Sequence, residues 1–218
     1  NAIDFRQLGL GYANLGSLLM NMGLAYDSDR GRTIAGAITS IMCGNAYLMS
    51  AKLAAIKGPF SGYELNREPM LRIIKKHGLA AENLANLFDS TNTDGRLANN
   101  NAQLTMGQDM LVREAVSAWR EALDFGQKYG FRNSQATVLA PTGTIAFLMD
   151  CDTTGVEPEL ALIKYKKLVG GGTLKLVNGQ VPPALRKLGY DDQQISDISA
   201  YLLEKESIEG APYLKNEH

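Results

Sequence analysis

The chain has 218 residues, with 22 basic against 23 acidic side chains, 45% hydrophobic and 21% charged residues. That is one large domain or two small ones with enough apolar material for a core, and it excludes disordered, collagen-like and low-complexity classes. A net charge of -1 gives no electrostatic reason to expect nucleic acid or a membrane as partner; two cysteines exclude a disulfide-rich scaffold, and two histidines argue against a zinc site or a His-based triad.

The expectation is therefore a cytoplasmic globular protein. No secretory signal opens the chain, and its apolar runs fall short of the ~18 residues of a membrane helix. Both ends read as cuts, which predicts a piece of something longer.

Phe5, Leu8, Tyr12, Leu15, Leu19 and Met22 alternate three and four apart, predicting one amphipathic helix. Gly9 and Gly16 on it predict close packing against a neighbour, with Gly23 near the C-cap. A dinucleotide fingerprint at Gly9-Leu10-Gly11 fails, because no strand precedes it and the third glycine is misplaced. Asp27 or Ser28 caps a second helix reaching about Lys57, with Ile34, Ile38, Ile41, Met42, Met49, Leu53 and Ile56 inward and Cys43 a small side chain beside them. Two shorter helices, 67–77 and 80–88, are divided at Gly78. Residues 89–103 read as a polar surface loop; aligned as a calcium loop from Ser90 through Gly95 to Asn101, they lack the first acid and the closing glutamate. A long helix from Thr105 to Lys128 buries Val112, Val116, Trp119 and Leu123, with Gly130 past its end.

At Asn133 the texture changes. Residues 136–140 predict a short buried strand, and 162–166 and 173–177 are two more strand-like stretches around Gly170-Gly171-Gly172, which reads as a flexible hairpin or bulge rather than a phosphate cradle. Helices follow over 183–188 and 192–205, the second opened by an Asp191/Gln194 capping box. The pattern divides as a helical part (1–131), strands with a loop (132–180) and C-terminal helices (181–218), all in one fragment.

The stretch that carries chemistry is Pro141, Thr142, Gly143, Thr144 and Ile145, between a strand and a helix start. Gly143 would let the backbone turn, amides at the helix N-terminus would face an anion, and the Thr142 and Thr144 hydroxyls would add donors. It lacks the Gly-Lys-Ser/Thr ending of a Walker loop, and a plain turn with an N-cap is the other reading. In the Lys164-Tyr165-Lys166-Lys167 run, strand alternation sends half the charges to solvent. Asp150, Asp152 and Glu157 around Cys151 read as a structured loop rather than a metal site, having no histidine among them.

The run Ala136-Thr-Val-Leu-Ala-Pro-Thr-Gly-Thr-Ile-Ala-Phe-Leu-Met-Asp-Cys-Asp-Thr-Thr-Gly-Val-Glu-Pro158 closely resembles the large, catalytic subunit of ribonucleotide reductase. So do Leu162-Ile-Lys-Tyr-Lys-Lys-Leu-Val-Gly-Gly-Gly172 and Leu8-Gly-Leu-Gly-Tyr-Ala-Asn-Leu-Gly-Ser-Leu-Leu19, and the Asp-Cys-Asp-Thr-Thr-Gly-Val-Glu-Pro segment looks most like the adenosylcobalamin-dependent class. The resemblance implies the C-terminal part of a ten-stranded α/β barrel, which as a fragment would be mainly α with a few short strands. It implies that residues 141–145 bind the phosphates of a ribonucleotide substrate, that adenosylcobalamin serves the full-length enzyme, and that the rest of the polypeptide is the natural partner. The family's Asn-x-Cys-x-Glu finger loop is not in this sequence, and two cysteines are fewer than its chemistry uses, so neither Cys43 nor Cys151 is given a catalytic role. The chain alone is expected to be inactive and to self-associate through uncovered barrel faces. The rivals are a stand-alone α/β protein using this loop on sugar phosphates, and a non-enzymatic helical scaffold.

Overall fold

A computed structural model describes residues 1–92, 102–167 and 170–218. The elements in order are α1 (Ala2–Phe5), α2 (Leu15–Asn21), α3 (Asp29–Lys57), α4 (Tyr63–Asn92), α5 (Ala102–Tyr129), α6 (Gly143–Leu148), β1 (Ile163–Lys167), β2 (Thr173–Val177), α7 (Val181–Lys187) and α8 (Asp192–Lys205). Helices dominate among the described residues. They form two compact units, one of Asn1–Gly11 with Arg32–Leu139, the other of Tyr12–Gly31 with Ala140–His218.

In the first unit α4 and α5 lie side by side, and the core gathers Leu48, Ala51, Phe60, Tyr63, Ile74, Trp119, Ala122 and Phe131. Trp119 Nε1 donates to Ser40 Oγ at 2.9 Å, so its one polar atom is satisfied as the indole is buried. Ser28 caps α3, its Oγ accepting from the Gly31 amide at 3.0 Å. Ile34 is buried as expected, but Met49 (55% exposed), Leu53 (38%) and Ile56 (82%) are not. The face that packs is instead Ala37, Gly44, Leu48, Ala51 and Ala54. An added Cβ at Gly44 would sit 2.9 Å from the Ala118 Cβ, so small residues admit the neighbouring helix and bulk marks the wrong side. By length and hydropathy α3 is apolar enough to cross a membrane, a test that core helices of soluble proteins also pass.

Three further expectations are corrected. The helix read from Phe5 to Met22 is broken: residues 6–14 are not helical, and Leu10 makes a parallel bridge with Thr137. A Cβ at Gly11 would meet the Val138 carbonyl oxygen at 2.3 Å, so this glycine, like Gly9 against the Val138 side chain, serves a close backbone approach that a helical stripe does not need. Opposite it, 136–140 is no buried strand; one bridge is its whole ladder, and Val138 and Leu139 are exposed. Nor does Gly78 divide α4, which runs unbroken: a Cβ added there would stand 3.7 Å from the Trp119 Cβ, so the glycine lies on the side packed against α5, and that packing outweighs its propensity cost. The polar segment around Gly95 lies outside the described residues at 93–101, although α4 and α5 reach into it from both sides to Asn92 and Ala102.

The second unit has a core of Ile163, Val181, Leu185, Tyr190, Ile195, Ile198 and Leu202. Here the expectations hold: β1 and β2 pair antiparallel with Ile163 opposite Val177 and Lys167 opposite Thr173. α8 opens on the Asp191/Gln194 capping box. Gly23, at φ 67, ends α2 in a Schellman turn, its amide reaching Met20 O and the Leu24 amide reaching Leu19 O, both at 2.9 Å.

Candidate functional site

The candidate loop lies in the second unit. Pro141 leads into Thr142, which adopts the left-handed conformation (φ 52, ψ 29) as N-cap of α6. The Ala146 amide bonds to Thr142 O at 2.9 Å, closing the first turn. The first amides of a helix, here those of Gly143, Thr144 and Ile145, have no carbonyl of the helix to bond, and all three residues are exposed. α6 ends one and a half turns on, with Asp150 left-handed (φ 55) and the Cys151 amide on Ala146 O at 2.9 Å.

Two expected roles change. The residue that turns the backbone is Thr142, because Gly143 is not among those with positive φ and a Cβ there would meet nothing within 4 Å. The Thr142 hydroxyl is also no spare donor. It donates to Pro141 O at 2.8 Å and accepts from the Gly155 amide at 2.8 Å. Thr144 stays exposed in the first turn.

Sequence reasoning did not single out what stands behind this loop. Asn14, left-handed at φ 72, precedes α2 and accepts with Oδ1 from the Thr153 amide (3.0 Å) and the Thr153 hydroxyl (3.2 Å). Thr153 Oγ1 in turn accepts from the Ser17 amide at 3.1 Å, and Tyr26 donates its hydroxyl to Val156 O. Gly155 sits at φ 46, where a side chain is strained, and a Cβ would lie tightly at 3.0 Å from Pro141 O and 3.1 Å from Ala140 O. The visible signal was Thr-Thr-Gly, a glycine preceded by two hydroxyls, of which Thr153 accepts from the Ser17 amide and Thr154 donates to Glu157.

The nearby charges are used internally. Lys164 Nζ donates to Asp152 O at 2.6 Å and pairs with Asp152 Oδ1 (3.4 Å) and Glu159 Oε2 (3.6 Å). Gln180 Nε2 donates to Asp152 Oδ2 at 2.7 Å, and Asn178, 1% exposed, donates to Glu159. Glu157 accepts from Thr154 Oγ1 at 2.9 Å. Among the described residues no three His, Cys, Asp or Glu side chains gather as metal ligands. Cys43 Sγ lies 3.2 Å from Thr137 Oγ1, and Cys151 is half-buried beside α6. His77 stacks on Trp119 at 5.0 Å between ring centroids, and burial together with Lys76 holds its pKa below the ordinary 6.5.

The described residues are mainly helical with one exposed polar turn at the start of α6, and comparison with known proteins gives the family. The family described as ribonucleotide reductase, barrel domain, matches residues 1–218. The chain belongs to that family. It is 51% identical over 221 residues to a vitamin B12-dependent ribonucleotide reductase of Streptomyces coelicolor, covering 100% of this chain and 21% of the relative. A protein of the same description from Agrobacterium fabrum is 49% identical over 209 residues, 96% of this chain and 16% of the relative. A ribonucleoside-diphosphate reductase large subunit of Ostreid herpesvirus 1 is 24% identical over 199 residues, 91% of this chain and 21% of the relative. The chain thus spans about a fifth of the length of the Streptomyces relative.

Proposed function

We propose that this chain is the part of a cobalamin-dependent ribonucleotide reductase that carries the substrate-phosphate loop and its scaffold, within the C-terminal portion of a ten-stranded α/β barrel. The whole enzyme would convert ribonucleotides to deoxyribonucleotides for DNA synthesis as a water-soluble cytoplasmic protein. The observation that carries this reading is 51% identity sustained over the full chain to a reductase whose name states its B12 dependence.

At the loop, the exposed first turn of α6 supports a phosphate role for Pro141, Thr142, Gly143, Thr144 and Ile145. Amides without carbonyl partners at a helix start attract an anion, and the Thr144 hydroxyl adds a donor. Thr142 contributes through its backbone, its hydroxyl being turned inward. These residues bind and orient. Adenosylcobalamin supplies the radical chemistry in the intact enzyme, but the residues described here do not fit a corrin. His77 is stacked on Trp119, His218 Nδ1 is 2.8 Å from the Tyr190 hydroxyl, and a cavity of about 290 Å³ lined by Met20, Leu162, Leu185 and Leu188 is too small for the macrocycle.

The test is a titration of the chain with a ribonucleoside diphosphate, followed by amide shifts. Shifts at residues 143–145, with affinity near the millimolar range that corresponds to ~4 kcal/mol, are expected. Gly143→Val places its side chain in open space over the amides, so it should block the ligand while leaving the fold. Shifts elsewhere, or none at tens of millimolar ligand, would return the loop to plain scaffold.

A further inference from the structure

We propose that Thr142 and Gly155 form a latch that sets the phosphate loop, Thr142 acting as a positioning residue whose hydroxyl never reaches the ligand. This rests on the phosphate reading above and adds what holds the loop in shape. Thr142 occupies a left-handed backbone conformation (φ 52) that a β-branched residue adopts only when its surroundings impose it. Both hydrogen-bonding directions of its hydroxyl are taken: the proton goes to Pro141 O and a lone pair receives the Gly155 N–H, each at 2.8 Å. From the other side, Gly155 closes to a distance at which a Cβ would stand 3.0 Å from Pro141 O.

The latch is anchored rather than free. Thr153, 3% exposed, is bonded to Asn14 by amide and hydroxyl, and its Oγ1 takes the Ser17 amide of α2. The Leu15 amide also reaches Gly155 O at 3.5 Å. A chain of contacts therefore runs from the start of α2 through 153–155 to Thr142, whose dihedrals aim the next three amides.

Three variants of the chain decide the matter, each titrated with inorganic pyrophosphate and followed by amide shifts. Thr142→Val keeps shape and removes the hydroxyl. It should shift the Gly155 and 143–145 amide signals before any ligand is added, and weaken pyrophosphate roughly fivefold, the worth of one hydrogen bond. Thr142→Ser should restore the wild-type shifts and affinity. Gly155→Ala leaves the Thr142 hydroxyl in place yet breaks the latch, so it should weaken binding to a similar degree, with no further loss in combination with Thr142→Val. Pyrophosphate binding by Thr142→Val at wild-type strength would overturn the latch. So would full binding by a folded Gly155→Ala chain, which would make the Thr142 hydroxyl a direct ligand. If the wild-type chain shows no pyrophosphate response at 143–145, the phosphate reading fails instead. The latch then stands or falls on whether Thr142→Val moves the ligand-free signals of that loop.

Discussion

At Gly16 an added Cβ would lie 2.5 Å from Glu157 O and 3.0 Å from Thr153 Cγ2, so α2 presses directly on the segment that backs the candidate loop. Gly16→Ala should therefore destabilise the second unit by about 1–3 kcal/mol, the cost of overpacking, read as a lower urea midpoint. Gly143→Ala meets nothing within 4 Å and should stay within about 0.5 kcal/mol of wild type. His77 offers a pH-dependent contrast. Burial first, then the Lys76 charge, lowers its pKa from 6.5 in the folded state. The unfolded chain thus binds the proton more readily, and the stabilising difference is complete above about pH 6.5 and lost as pH falls through the folded value. An NMR titration of the imidazole should give a midpoint below 6.5, and His77→Gln should flatten the acid side of the stability profile. A midpoint at or above the ordinary value would mean that the Trp119 stack does not shield the ring.

At the scale of elements, the α3–α5 contact is made by small side chains. Ala51, Ala115 and Ala122 are each 0% exposed, and Gly44 faces Ala118. Ala122→Leu should cost about 1–3 kcal/mol by overpacking, whereas Ile56→Gln, at a position 82% exposed, should change the urea midpoint little. This seam also shows why the sequence was only partly legible. Helices α3, α5 and α8, their caps and the β1–β2 hairpin follow from local pattern, because propensity, capping and alternation agree there. The α3 face does not, since Met49, Leu53 and Ile56 advertise burial by size while alanines and a glycine do the packing. The false helix over residues 6–14 has the same origin: a three–four spacing arose by coincidence, and the backbone approach of Gly11 to Val138 is invisible without the partner. At the candidate site, the helix start within residues 141–145 was legible through local motif. Asn14 and Gly155 were not, because their roles depend on contacts across 139 and 13 residues of chain.

Across the whole molecule, large apolar side chains remain uncovered. Phe147 (83%), Leu148 (85%) and Leu160 (83%) in the second unit, and Leu65 (91%) in the first, are exposed to water. Isolated exposed residues are ordinary, but Phe147, Leu148 and Met149 are consecutive, and such clusters mark surfaces that bind protein. Light scattering should show the chain self-associating as concentration rises; a monomer throughout would mean these faces need no cover. The central claim is that the chain works as a section of a B12-dependent reductase, and deoxyribonucleotide formation measures it most directly. The intact polypeptide containing residues 1–218 should form deoxyribonucleotide from ribonucleotide only when adenosylcobalamin and a thiol reductant are supplied, and the 218-residue chain alone should form none. Reduction by this chain alone, or an intact polypeptide inert with every ribonucleotide and cofactor present, would contradict it.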